Sequence, residues 1–381
     1  MVIEIHKMKK EAKKINYFFW ILSFFVPILI YNNSFSQIDK SSKSDSVVIY
    51  TKTDTKGTND VSIKIIKDKF YNGVDYFKEG KFDDAIKNFS EVISSKPNSK
   101  EAYFNRGMCM LKTNDFQAAI NDFNRLIEIN SKDIKSLYLR GFAYFSMGKM
   151  NKAITDFNKV ILASDKFPLA FYYRATIKFQ NSDYRGAIDD YTKCIKISPN
   201  YYQAYNDRGT SRQELKEYSK AIDDYNKALK LSKDNPEILN NLGNAKKEDG
   251  QLEEALSYYN KAVELNAEYY SALNNRGNIK IALEDYEGAI TDLKKAITLK
   301  PDYYQAYNNL GIVKYKLMDF KGSVKRFNEA IEIKPDYAEA YLNRGIAKEM
   351  LRDNEGCCND WAKAASLGLA IGNTYIKDQC K

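Results

Sequence analysis

The chain has 381 residues, 44% of them hydrophobic, and a formal net charge of +9. Its one histidine is His6, so Ser-His-Asp or Cys-His catalysis and any histidine-ligated metal site are excluded from everything beyond the first few residues. The chain also lacks a Gly-x-x-x-x-Gly-Lys phosphate loop and a dinucleotide fingerprint, so the expectation is a protein that is not an enzyme and takes no cofactor and no metal.

From the N-terminus, Lys7, Lys9, Lys10, Lys13 and Lys14 precede an apolar run from Tyr17 to Tyr31, which leads into Asn32-Asn33-Ser34-Phe35-Ser36-Gln37. A basic start, a short apolar stretch and a Ser-x-Ser site predict a secretory signal peptide over residues 1–36, cleaved after Ser36. The run includes Pro27 and is short for a membrane span. The alternative is a membrane-anchored assembly factor that keeps residues 15–31 as an uncleaved anchor. Met8 competes with Met1 as the initiator. No cysteine follows the apolar run, which argues against a lipoprotein anchor. The expected location is the periplasm or cell envelope, with secretion open. Residues 37–65 are rich in Ser, Lys, Asp and Thr, with a β-prone patch at Val47-Val48-Ile49-Tyr50, and predict a flexible spacer. Five lysines against Glu4 and Glu11 place +3 of the charge in residues 1–36. The remaining +6 is spread thinly and fits solvated helix faces better than a nucleic-acid footprint.

Next comes a lattice of period 34. Gly73, Gly107, Gly141, Gly209, Gly243, Gly277, Gly311 and Gly345 lie on it, with Ala175 the one exception. Twelve residues after each point stands Ala85, Ala119, Ala153, Ala187, Ala221, Ala255, Ala289, Ser323 or Cys357. Four further on stands Phe89, Phe123, Phe157, Tyr191, Tyr225, Tyr259, Leu293, Phe327 or Trp361. Nine units without an insertion mean a repeat array. With position 1 at Ile66, Lys100, Ile134, Pro168, Tyr202, Pro236, Tyr270, Tyr304 and Ala338, positions 1–14 predict helix A and positions 17–30 predict helix B. Helix B is apolar at positions 17, 20, 21, 24, 27 and 28, one buried stripe. Gly80-Lys81, Asn114-Asp115, Ser182-Asp183 and Glu284-Asp285 suit a helix end followed by an N-cap. Pro97, Pro199, Pro301 and Pro335 fall at position 32, past helix B, and Pro168 and Pro236 fall at position 1, where a missing N–H is harmless.

Two positions vary together. Position 7 is Arg106, Arg140, Arg174, Arg208, Arg276 or Arg344 in six repeats, and position 23 of the same six is Asp122, Asp156, Asp190, Asp224, Asp292 or Asp360. Repeats with Asn72, Leu242 or Leu310 instead have Asn88, Tyr258 or Arg326. The expectation is an ion pair within each of the six repeats, with shared ancestry of duplicated repeats as the competing explanation. Asp189-Asp190 and Asp223-Asp224 recur at fixed positions, which argues for structure over an acid/base site. Cys194 at position 27 and Cys357 at position 20 occupy small buried slots.

The pattern resembles the tetratricopeptide repeat, most closely where Tyr307-Asn308-Asn309-Leu310-Gly311 precedes Ala330 and Pro335. The resemblance covers residues 66–369, with a degenerate ninth repeat; a capping helix is expected over Leu369–Gln379, with cap and tail making up the closing segment 370–381. It implies an all-α right-handed superhelical solenoid, a scaffold for protein or peptide partners with no nucleic acid and with oligomeric state open. The usage of Lys, Asn, Ile and Tyr resembles exported Bacteroidetes proteins.

In that family the concave face is lined mainly by positions 2, 5, 6, 9, 12 and 13. Those positions are aromatic early (Phe104, Phe142 and Tyr173 among them) and asparagine later, at Asn241, Asn244, Asn275, Asn278 and Asn309. The asparagines resemble the ladder of the protein O-GlcNAc transferase, which implies a grip on a peptide backbone, with the aromatics selecting apolar side chains. Packing and a solvated face are the rival readings for the rings and the amides. The basic residues of a carboxylate clamp are absent, with Glu237, Asn240, Ser271 and Asn274 in their places. The ending, from Cys357-Cys358-Asn359-Asp360-Trp361 to Cys380, resembles exported tetratricopeptide proteins in which two cysteines recur near the end. That implies a disulfide, with Cys358 and Cys380 the expected pair. An antiparallel cap of about ten residues, roughly 15 Å long, is compatible with it.

Overall fold

The computed structural model describes residues 61–380, in which there are nineteen α-helices and no strand. The predicted signal peptide and residues 37–60 of the predicted spacer lie outside the described residues. The chain divides into two compact units. The N-terminal unit holds α1 (Val61–Lys78), α2 (Phe82–Ser95), α3 (Lys100–Lys112), α4 (Phe116–Ile129), α5 (Ile134–Ser146), α6 (Met150–Ala163), α7 (Pro168–Gln180), α8 (Tyr184–Ile197), α9 (Tyr202–Glu214) and α10 (Tyr218–Leu231). The C-terminal unit holds α11 (Pro236–Glu248), α12 (Leu252–Leu265), α13 (Tyr270–Ala282), α14 (Tyr286–Leu299), α15 (Tyr304–Lys316), α16 (Phe320–Ile333), α17 (Ala338–Met350), α18 (Asn354–Ser366) and α19 (Ile371–Gln379). Odd-numbered helices α1–α17 are the A helices. Each packs on its own B helix, and within each unit every B helix packs on the next A helix.

Local chemistry sets these boundaries. Position 15 takes a left-handed conformation in all nine repeats, including Asn114, Ser182, Glu284 and Met318, which turns the chain back sharply after helix A. The next residue caps helix B where it is aspartate: Asp115, Asp183, Asp285, Asp319 and Asp353 each accept the N–H three residues on. Lys81, expected among the caps, makes no such bond. Helix α1 begins at Val61, five residues before the repeat frame and inside the expected spacer. Among the described residues no earlier repeat covers this end, and Ile63 and Ile65 are exposed.

The glycine lattice follows from the core. A Cβ on Gly243 would lie 2.5 Å from the Tyr259 ring, and one on Gly209 would lie 2.8 Å from Tyr225. These rings are fully buried beside the small residue of position 20. Repeat four accommodates Ala175 against Tyr191, so the ring can yield somewhat. Gly243→Ala is expected to destabilise the C-terminal unit by about 1–2 kcal/mol, because overpacking of ~1–3 kcal/mol outweighs a helix-propensity gain below ~1 kcal/mol. Chemical denaturation checks this, and a variant as stable as the parent would contradict it. Cys109, Cys194 and Cys357 are buried thiols, and burial pushes Cys109 up to about 12.

The cap begins two residues later than expected, because Gly368 reverses the chain at φ +102° and Ala370 precedes the first turn. Gly372 lies against the Trp361 carbonyl, where a Cβ would clash at 2.6 Å. Tyr375 stacks on Trp361 at 4.9 Å. Cys358 and Cys380 are joined as a disulfide, with Cα atoms 5.8 Å apart.

Candidate partner-binding face

Six arginine forks fix each A helix to its B helix. Arg106 donates from Nε and Nη2 to Asp122 at 2.8 and 2.7 Å. The same fork joins Arg140 to Asp156, Arg174 to Asp190, Arg208 to Asp224, Arg276 to Asp292 and Arg344 to Asp360. All six aspartates are buried. Two further partners were not anticipated. Nη1 of each arginine donates to position 25 of the preceding repeat: Ser90, Asn124, Asn158, Thr192, Asn260 and Asn328. In four repeats position 11 supplies a second cation to the aspartate, namely Lys178, Arg212, Lys280 and Lys348 at 2.8–3.0 Å.

Burial and charge balance differently at Asp122 and Asp190. Burial raises the Asp122 carboxyl above its ordinary value of 3.8, and Arg106 alone does not offset it. At Asp190 the same burial is outweighed by Arg174 and Lys178 together, which hold the carboxyl below 3.8. As pH falls, the stability contributed by ionised Asp190 is therefore present above its unfolded value and lost as pH passes its folded one. Asp122 does the opposite: ionising it as pH rises from 3.8 to its raised folded value lowers stability. Carboxyl NMR is expected to give Asp122 the higher midpoint of the two, and the reverse order would refute the assignment.

The asparagines of the C-terminal unit lie on its row of A helices and bond one another. Asn275 Nδ2 donates to Asn240 and Asn244 Oδ1 at 3.0 and 3.1 Å. Asn309 Nδ2 donates to Asn274 Oδ1 at 2.9 Å, and Asn343 Nδ2 donates to Asn308 Oδ1 at 3.0 Å. Position 6 of one repeat is thus tied to position 5 of the repeat before it. Asn244 Oδ1 also accepts from Tyr259 Oη at 2.7 Å. Asn241 is half-buried and engaged within the chain. Asn278 is half-buried and makes no side-chain hydrogen bond among the described residues.

The aromatic half differs from the expected open groove. Phe104, Phe142 and Tyr173 are 1%, 6% and 3% exposed and belong to the hydrophobic core of the N-terminal unit. Phe142 meets Tyr173 edge-on at 5.3 Å, and Tyr173 stacks on Phe157 at 5.8 Å. Large side chains at positions 5, 6 and 9 interlock where neighbouring A helices meet, so these rings are closed to a partner in this conformation.

Among the described residues no group of His, Cys, Asp and Glu could hold a metal ion, and no helix is long and apolar enough to cross a membrane. Family models described as TPR repeat match residues 214–250, 277–317 and 319–351, one described as tetratricopeptide repeat matches 236–269, and one for anaphase-promoting complex, cyclosome, subunit 3 matches 78–160. A search of curated proteins finds no match. Among solved structures, the APC/C hetero-tetramer Cut9-Hcn1 is similar at 17% identity with a TM-score of 0.55, over 74% of this chain and 55% of that one. MamA is similar at 26% identity, TM-score 0.38, over 44% of this chain and 91% of its own. YrrB, titled a TPR protein with an unusual peptide-binding site, is similar at 22% identity, TM-score 0.39, over 48% and 95%.

Proposed function

The chain belongs to the tetratricopeptide repeat family, and from that premise we propose that it is an exported, non-enzymatic scaffold that binds an extended polypeptide along the A helices of its C-terminal unit. The observation that carries this reading is the row of asparagines tied in register across successive repeats. Asn275, Asn309 and Asn343 are held by their neighbours, so these amides lose little side-chain freedom when a ligand binds. Asn278 has both its donor and its acceptor groups unused within the chain, and Asn309, which is buried at 8% exposure, uses one donor only. Such groups suit a peptide backbone, which offers one N–H and one C=O per residue. Asn241, Asn244 and Asn275 complete the proposed contact set. The N-terminal unit, whose rings fill its own core, serves in this reading as a rigid mount. The disulfide supports an oxidising compartment.

Binding of the full chain to an array of extended peptides tests the proposal. An Asn278→Ala/Asn309→Ala variant is expected to lose at least about tenfold in affinity, or ~1.4 kcal/mol, with its helical circular dichroism intact. Unchanged binding by a folded variant would remove the ladder as the binding element.

A further inference from the structure

The charge of the array is unevenly shared. Residues 61–231 hold 29 Lys and Arg against 21 Asp and Glu, whereas residues 232–381 hold 21 against 23. On the A helices of the C-terminal unit, most cations are already taken by carboxylates. Arg276 and Lys280 face Asp292, Arg344 and Lys348 face Asp360, Lys246 faces Glu254, Lys247 faces Glu248 and Lys314 faces Asp319. Several acceptors on the same row have no such partner. Glu339, at position 2 of α17, is half-buried, and burial raises its carboxyl. Lys334 acts on it through space, while the Lys334 ammonium sits 4.9 Å from the centre of the Tyr304 ring. Asn343, one turn further along α17, is 3% exposed, and its Oδ1 accepts no hydrogen bond. The reason is visible in the lattice. Asn275 Oδ1 accepts from Asn274 at position 5 of its own repeat, but in the ninth repeat position 5 is Leu342. Gln305, at position 2 of α15, also has a buried Oε1 without a donor.

These three groups lie on two neighbouring A helices, α15 and α17. The bond from Asn343 to Asn308 holds α17 beside α15. Gln305 lies three residues before Asn308, and Glu339 lies four before Asn343, so both project one turn towards the N-terminal ends of their helices from that bond. We propose that Gln305, Glu339 and Asn343 receive a lysine or arginine side chain of the bound polypeptide. An ammonium or guanidinium carries only donors, which suits two amide oxygens that lack one beside a carboxylate whose own bond is to its backbone N–H. Charge complementarity would then choose among the segments that the asparagine row holds. This inference rests on the ladder reading above and gives it a specificity.

Fluorescence anisotropy with the full chain separates the two. Three extended peptides of one length and otherwise one sequence carry Lys, Gln or Glu at a central position. The lysine peptide is expected to bind at least tenfold more tightly than the glutamine peptide, and the glutamate peptide more weakly than either. The lysine advantage should shrink as salt rises. Glu339→Gln, a near-isosteric change, is expected to bring the lysine peptide down to the affinity of the glutamine peptide and to leave the latter unmoved. Equal binding of the lysine and glutamine peptides would overturn the cationic receptor and leave the ladder standing. Failure of all three to bind would overturn both.

Discussion

Asp122→Ala is expected to destabilise the second repeat by about 3–5 kcal/mol, because it strands Arg106 in a largely dry site. Arg106 has no other carboxylate to turn to; its remaining bond is to Ser90 Oγ at 3.0 Å. The chain itself supplies the control. The sixth repeat holds Leu242 and Tyr258 at the two positions concerned and packs in the same frame. The double change Arg106→Leu/Asp122→Tyr removes both charges together and is expected to lose far less than the single one, within about 1–2 kcal/mol of the parent, as found when buried pairs give way to apolar groups. Hydrogen exchange resolved to α3 and α4 is the appropriate measurement, since a repeat array need not unfold in one step. Equal losses in the single and double variants would show that shape matters here and the pair does not.

Cys358→Ser/Cys380→Ser is expected to cost about 3 kcal/mol in the cap, the magnitude associated with closing a loop of this length in the unfolded chain. The effect should be local, with faster exchange in α19 and little change in α11 to α14. Trp361 and Tyr375 would still stack, so the cap should loosen without detaching. Thiol counting with peptide mapping provides the check. Protein isolated under native oxidising conditions should show Cys109, Cys194 and Cys357 as thiols, and finding Cys358 and Cys380 free as well would overturn the assignment.

The repeat frame was legible because every repeat buries the same surfaces. A glycine must face each large ring, and that requirement writes itself into the chain every 34 residues. The forks were legible because Arg and Asp come and go together. The second cation was not, since Lys178, Arg212, Lys280 and Lys348 read individually as ordinary solvated residues. Nor could Phe104, Phe142 and Tyr173 be assigned correctly by position alone. Helical spacing gives the face a ring lies on, but not how far neighbouring A helices close over it, and that closure depends on the bulk of all the side chains between them. The asparagines lie between these cases. Their alignment along one row was plain, whereas the inter-repeat bonds that consume Asn275 Nδ2 and one donor of Asn309 depend on the offset between adjacent A helices.

The bond from each arginine to the repeat before it has a mechanical meaning. In the N-terminal unit such a tie crosses every junction, from Ser90–Arg106 through Thr192–Arg208. Five repeats are laced without a gap and should open as one block. In the C-terminal unit the lacing joins repeat six to seven and eight to nine. Leu310 makes no such tie from repeat eight to seven, which leaves that junction to packing and the single bond from Asn309 to Asn274. Thermal breathing within the unit is expected to begin there, where one amide bond stands in place of the arginine tie, so the amide row itself would hold the line along which the unit opens.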